Sequence, residues 1–198
     1  MKTPVKGVFN GAFDTVDNIK ISPFSRAYTF SDSVYEVVPF FNSSAIAFND
    51  HIKRLEFSAN QLSMDVDLEK IVFEINSLIK SSEFENGYVY YQVTRGVDSI
   101  RSHMHEPELA IETFGYVKAH LFEWKPVKVS VCDDIRWGRC DIKSTSLLGN
   151  VMSMNAAKLD NCDEVIMHKD NLLTEAGASN LFFVKDNSIC TPALNGNI

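Results

Sequence analysis

The stretch Asp141-Ile142-Lys143-Ser144-Thr145-Ser146-Leu147-Leu148-Gly149, followed further on by Thr174-Glu175-Ala176-Gly177-Ala178-Ser179-Asn180, decides how this chain is read. Lys143 taken alone is uninformative, because an isolated lysine is usually a solvated surface charge and the Lys-Ser pair is ordinary loop chemistry. Its surroundings are patterned. Val127 to Cys132 reads as a strand before the lysine, and Ser146 to Leu159 as a helix after it. Beyond lie short strands at Glu164 to His168, Leu172 to Thr174, Leu181 to Lys185 and Ser188 to Thr191, joined by turns at Lys169-Asp170-Asn171 and Asp186-Asn187.

Upstream, periodicity lapses around Lys118 to Pro126 and a proline restarts it, which marks a linker. Before it, Val8 to Val16 and Tyr35 to Phe41 read as strands rich in aromatic and β-branched residues, with Asn42-Ser43-Ser44 turning into a strand from Ala45 to Phe48. Ile52, Leu55, Ala59 and Leu62 recur at helical spacing and predict a helix from Asp50 to Leu62, capped by Asn49 or Asp50. A second helix, from about Asp67 to Lys80, carries the stripe Leu68, Ile71, Val72, Ile75, Leu78 and Ile79, which suits packing on a sheet better than holding a cofactor. Glu85-Asn86-Gly87 is a turn signal ahead of strands at Tyr88 to Thr94 and Leu109 to Tyr116. Long helices in the first half and short strands in the second give an α/β (α+β) chain without internal repeats.

With 198 residues, 45% of them hydrophobic and 23% charged, the chain has ordinary globular composition and can bury a large core as one domain or two modest ones. A formal charge of −7 without any basic run argues against a nucleic-acid surface. The apolar run from Ile71 to Ile79 is broken by Glu74, Asn76 and Ser77, and the start, Met1-Lys2-Thr3-Pro4-Val5-Lys6, lacks an apolar signal region. The expectation is therefore a cytoplasmic protein without a membrane or nucleic-acid partner. Cys132, Cys140, Cys162 and Cys190 show no metal-site spacing and are expected to be reduced structural thiols.

The segments around Lys143 and Glu175 resemble the centre of the class IV (fold-type IV) aminotransferases, enzymes that depend on pyridoxal phosphate (PLP). The resemblance implies that Lys143 forms a Schiff base with PLP and that Glu175 pairs with its pyridine nitrogen. That division of labour is chemically coherent: a neutral amine attacks an aldehyde, and a carboxylate keeps the ring protonated as an electron sink. Ser33-Val34-Tyr35-Glu36-Val37-Val38, His51-Ile52-Lys53-Arg54-Leu55, Tyr91-Gln92-Val93-Thr94-Arg95-Gly96 and Asp134-Ile135-Arg136-Trp137 look like segments of D-amino-acid aminotransferases, in the same order. The most specific element is Arg101-Ser102-His103. In D-specific enzymes such a pair comes from the neighbouring subunit and, with a tyrosine matching Tyr35, holds the substrate carboxylate.

The implied set is thus Lys143 as catalytic residue, Lys143, Glu175 and Arg54 on the cofactor, and Tyr35, Arg101 and His103 on the substrate, with no metal. Arg54 resembles the arginine that grips the cofactor phosphate, a task suited to a guanidinium fork. Without the resemblance, Arg54 reads as a surface arginine on an amphipathic helix, Arg101 and His103 as exposed loop charges, and Tyr35 as one aromatic among several. His51 lies one turn from Arg54 on the same face. Glu36 points to the opposite face of its strand from Tyr35 and is left out of the site.

The family resemblance further implies a homodimer and three segments: an N-terminal α/β sandwich domain over residues 1–118, a linker over 119–126, and a partial C-terminal pseudo-barrel domain over 127–198 carrying the PLP lysine. The implied activity is ping-pong transamination between D-amino acids and 2-oxo acids, of the D-alanine/2-oxoglutarate type. Lys143 would serve first as Schiff-base partner and then as general acid and base. Cys162 stands where branched-chain aminotransferases usually carry a tyrosine, which counts against that branch. Branched-chain L-aminotransferase, aminodeoxychorismate lyase and a PLP-free dimerisation or binding module are the alternatives. In the family, a segment like Thr191 to Ile198 leads into a Leu-x-Gly-Ile-Thr-Arg-type turn that binds the PLP phosphate, so the sequence is expected to be a C-terminally truncated piece. Ala176-Gly177-Ala178 where relatives carry more serines, and Gly138 where they carry a bulkier residue, depart from the pattern.

Overall fold

Burial alternates with period two along the long strands of the computed structural model, which describes residues 4–106, 108–196 and 198. Met1 to Thr3 of the N-terminal segment and Asn197 of the terminal one lie outside the described residues. The chain divides into two compact units, one reaching to Phe122 and including Ile142–Thr145, the other comprising Glu123–Asp141 and Ser146–Ile198.

The first unit is a six-stranded antiparallel sheet in the order β2-β1-β6-β5-β3-β4. Its strands are β1 (Lys6–Phe9), β2 (Ala12–Thr15), β3 (Ser33–Phe41), β4 (Ser44–Ala45), β5 (Gly87–Arg95) and β6 (Ile111–Ala119). Val34, Val38 and Phe40 of β3 and Val89, Tyr91 and Val93 of β5 share a fully buried face. The helices α2 (Phe48–Gln61) and α3 (Leu68–Ser81) complete that core with Leu55, Ala59, Ile71, Ile75 and Leu78. Asp67 caps α3, its carboxylate accepting the Lys70 N–H at 2.9 Å. The opposite face of the sheet carries Tyr35, Tyr88, Tyr90, Gln92, Phe114 and Tyr116, in register across β3, β5 and β6.

Two local expectations are corrected. The strand expected from Val8 to Val16 is a hairpin, because Asn10 and Gly11 take left-handed φ angles of 49° and 88° and reverse the chain between β1 and β2. The strand expected to run to Phe48 stops at Ala45, and α2 begins at Phe48. Ala47 is left-handed, its carbonyl accepts the N–H groups of Asp50 and His51, and Phe48 packs on the core from the first helical turn. Arg26–Phe30 forms the five-residue helix α1, too short to show a period.

The second unit holds the sheet β7-β8-β9, with β7 (Val129–Asp133) parallel to β8 (Glu164–Lys169) and β8 antiparallel to β9 (Leu172–Ala176). The parallel pair needs a crossover, which α4 (Leu148–Leu159) supplies. Ala157, Val165 and Met167 form its small core, flanked by Cys132, Met154 and Cys162. Gly149 lets the first turn of α4 lie against the backbone of Arg136: a Cβ there would stand 3.0 Å from the Arg136 Cα. A hairpin of β10 (Phe183–Lys185) and β11 (Ser188–Cys190) follows. Among the described residues no helix is long and apolar enough to cross a membrane.

Candidate active site

The lysine reaches the first unit through an unpaired strand edge. β4 pairs only with Phe40 and Phe41, so the first half of β3 has an open edge. Residues 143–145 fill it: the Tyr35 N–H donates to the Lys143 carbonyl at 2.9 Å, and the Thr145 N–H donates to the Ser33 carbonyl at 3.1 Å. Val34 and Ser144 form the bridge between these bonds. On the helix side, the Lys143 N–H donates to the Ser58 hydroxyl of α2 at 3.1 Å. The backbone of this residue is therefore fixed from two elements. Its amine lies 3.4 Å from the Tyr35 hydroxyl and 4.4 Å from the centre of that ring. Among the described residues Lys143 has no carboxylate partner, which suits an amine that must become a nucleophile.

Arg54 approaches the adjacent residue of β3 from the helix side. Its Nε and Nη2 donate to the two oxygens of Glu36 at 2.6 and 2.8 Å, and His51 Nδ1 lies 2.7 Å from the same carboxylate. Glu36 is fully buried, whereas half of the Arg54 side chain is exposed. Burial opposes ionisation of Glu36, but the hydrogen bonds from Arg54 and His51 outweigh it and hold the carboxyl below its ordinary value. Alternation along β3 does separate Glu36 from Tyr35. It also makes Glu36 the anchor of Arg54, a role that face-counting alone discards. The i, i+3 spacing of His51 and Arg54 was the available signal, since it puts two potential donors on one helix face.

Arg101 and His103 both pack on Phe30 of α1, at 5.2 and 5.4 Å from its ring centre, rather than on Tyr35 or Lys143. Both side chains are exposed. The loop that carries them is tied down by Arg26, whose Nη1 donates to the Ser102 carbonyl at 2.8 Å and to Asp98 at 3.0 Å.

On the tyrosine-bearing face of the sheet, Tyr35 stacks on Tyr90 and Tyr90 on Tyr116, with ring centres 5.5 and 5.2 Å apart. Burial, with Tyr35 and Tyr116 beside it, pushes the Tyr90 phenol far up, so it stays a donor. It donates to Gln92 Oε1 at 2.7 Å.

In the second unit, Glu175 projects from β9 and is held by Arg136 through Oε2. Arg136 also grips both oxygens of Asp134, at 3.0 and 2.8 Å, and the Thr174 hydroxyl donates to Asp134 Oδ2 at 2.7 Å. Burial works against the Asp134 charge, yet hydrogen bonds from Arg136 and Thr174 keep its carboxyl below the usual value; burial likewise opposes the Arg136 charge, which Asp134, Cys140 and Glu175 hold on. Glu175 is thus an oriented carboxylate, 30% exposed, backed by an arginine. Sequence reading placed Arg136 in a family-like segment without giving it a task, since nothing local links it to a residue on another strand.

No group of described residues could hold a metal. In the first unit, an amine without a carboxylate partner among the described residues and a half-exposed guanidinium suit the aldehyde and phosphate of PLP; in the second, an oriented carboxylate suits its ring nitrogen, so the residues of each unit fit the group.

Comparison with known proteins agrees. A family model described as amino-transferase class IV matches residues 33–198. A D-alanine aminotransferase of Staphylococcus haemolyticus is 31% identical over 98% of this chain, which spans 71% of that relative's length. Among solved structures, a branched-chain amino acid aminotransferase of Escherichia coli superposes with a TM-score of 0.87 at 18% identity, covering 98% of this chain and 70% of that one. A branched-chain aminotransferase from the thermophilic archaeon Thermoproteus uzoniensis, solved with norvaline, gives 0.81 at 19% identity, covering 99% and 70%. At such identities the solved structures establish the fold-type IV architecture, while the matched model and the curated relative establish the family: the chain belongs to the class IV aminotransferases.

Proposed function

We propose that this chain carries the catalytic lysine of a PLP-dependent transaminase acting on D-amino acids and 2-oxo acids, of the D-alanine/2-oxoglutarate type, and that it works as a cytoplasmic homodimer. The observation that carries the reading is the seating of Lys143, with its backbone bonded to Tyr35 and Ser58 and its amine 3.4 Å from the Tyr35 hydroxyl. The D-alanine aminotransferase relative supports the substrate class.

PLP, when bound, supplies an aldehyde that takes up the amino group and a pyridinium ring that accepts electrons from the substrate's Cα. Lys143 Nζ would hold the cofactor through its aldehyde group and, when free, would carry the proton removed from the substrate's Cα. The Tyr35 hydroxyl orients that amine on one side. Arg54, itself held by Glu36, binds the phosphate. Glu175, held by Arg136, keeps the ring nitrogen protonated by offering a carboxylate to it. Arg101 and His103, on a loop that Arg26 fixes, bind the substrate carboxylate in the partner copy's site, which makes the dimer part of the chemistry.

The purified protein, supplied with PLP and 2-oxoglutarate, should form pyruvate from D-alanine and not from L-alanine. Turnover confined to L-leucine or L-isoleucine would move the assignment to the branched-chain branch.

A further inference from the structure

On the tyrosine-bearing face of the sheet, a closed ring of contacts runs from the amine back to its own backbone. Lys143 Nζ touches Tyr35, Tyr35 stacks on Tyr90, and the Tyr90 hydroxyl donates to Gln92 Oε1 at 2.7 Å. Gln92 Nε2 then donates to Thr94 Oγ1 at 2.9 Å and to Ser33 Oγ at 3.4 Å. Ser33 Oγ lies 2.6 Å from Thr145 Oγ1, and Thr145 is two residues from Lys143 on the strand that fills the β3 edge.

We propose that Gln92 is a positioning residue for Lys143. It does not touch the amine, and it pairs with Tyr35 only as its cross-strand neighbour on β3. Its single amide group meets both arms that fix the lysine: the ring stack that orients Tyr35, and the hydroxyl pair that pins Thr145 to β3. The arrangement has a direction. The Tyr90 hydroxyl faces the Gln92 oxygen, and the amide nitrogen is turned toward Ser33 and Thr94. An apolar side chain in place of the amide would release both arms at once, while the sheet itself, bonded through the backbone of β3 and β5, would persist.

Thr145 closes the ring at the other end. Its hydroxyl also reaches the Ser31 carbonyl at 3.2 Å, so the short strand 143–145 is held by side-chain bonds as well as by its two backbone bonds. Two backbone bonds are few for an edge segment, which makes its stability sensitive to the hydroxyl pair.

The inference rests on the proposed role of Lys143, but its test does not depend on turnover alone. Hydrogen exchange of the Lys143–Thr145 amides would be compared in wild type, Gln92→Leu, Thr145→Val and Thr145→Ser, alongside the Tyr91 and Val93 amides of β5. Loss of one or two net hydrogen bonds should speed exchange at 143–145 by roughly 5- to 30-fold in Gln92→Leu and Thr145→Val. The β5 amides should stay within about twofold, and Thr145→Ser should restore protection. In parallel, the rate of PLP capture by Lys143, followed by borohydride trapping, should fall in the first two variants and recover in the third. Should Gln92→Leu fail to fold, the Thr145 pair decides alone. Unchanged exchange at 143–145 in Gln92→Leu or in Thr145→Val, or equal loss across β5, overturns the proposal. If wild type captures no PLP, the functional reading fails by itself, and the exchange arm still decides whether Gln92 seats the strand.

Discussion

Removing the two members of the Glu36–Arg54 pair should have unequal costs, and the inequality follows from their burial. Glu36 is fully buried; the Arg54 side chain is 49% exposed. In Glu36→Gln the guanidinium can turn to water, so the loss is that of charge-assisted hydrogen bonds, about 1.5–3 kcal/mol. In Arg54→Met the carboxylate stays buried with His51 as its remaining contact in this cluster, and breaking a buried pair from that side costs about 3–5 kcal/mol. The two changes share one interaction, so the double variant should cost less than the sum, with a coupling of about 1–3 kcal/mol. The pH dependence has a defined sign. Glu36 titrates below its ordinary value of 4.5 in the folded protein, so its contribution is present above that value and lost as pH falls through the folded-state one. The penalty of Arg54→Met should shrink over the same window, because a protonated Glu36 no longer needs a cation. Urea unfolding followed by far-ultraviolet circular dichroism, at neutral pH and at steps below 4.5, measures all four proteins. An Arg54→Met variant more stable than Glu36→Gln at neutral pH, or a gap that ignores pH, would refute the reasoning.

Glu175→Gln should still capture PLP but lose about 100-fold or more in turnover, since the carboxylate acts electrostatically on the reacting ring and not on capture; absorbance and steady-state kinetics separate the two. Arg101→Ala should leave thermal stability unchanged, because the side chain is exposed, while raising the KM for D-alanine by about 10- to 100-fold through loss of a charged carboxylate contact. Gly11→Val should destabilise the first unit by about 1–3 kcal/mol in urea titration, because Gly11 sits at φ 88°, where a β-branched residue is strained.

The elements that sequence reading located best are those whose signal is long and periodic. The apolar stripe of α3 is in the sequence as written, and the helix lies one residue later at each end than expected, over Leu68–Ser81, with Asp67 as its cap. Short-range chemistry misled where two signals competed. From Val8 to Val16 the apolar and aromatic residues suggest one strand, but Asn10-Gly11 is a two-residue reversal, and left-handed backbone geometry outweighs strand propensity there. Ala47 shows the converse: nothing in an alanine announces a left-handed residue, and it is held so by the helix that starts beside it. Of the proposed site, Lys143, Glu175 and Arg54 stand in family-like motifs. Their supports were not legible as such. Arg136 is joined to Glu175, and Glu36 to Arg54, across distances in sequence that only the folded sheets close.

Borohydride reduction of the protein in the presence of PLP, followed by peptide mapping, should place a pyridoxyl group on Lys143. Of the alternatives, Lys53, Lys80 and Lys158 sit on helices and Lys118 and Lys169 near strand ends, and none shares the seating on β3. Labelling of the peptide containing Lys143, abolished in Lys143→Ala, is the predicted result; labelling concentrated on any other lysine would contradict it.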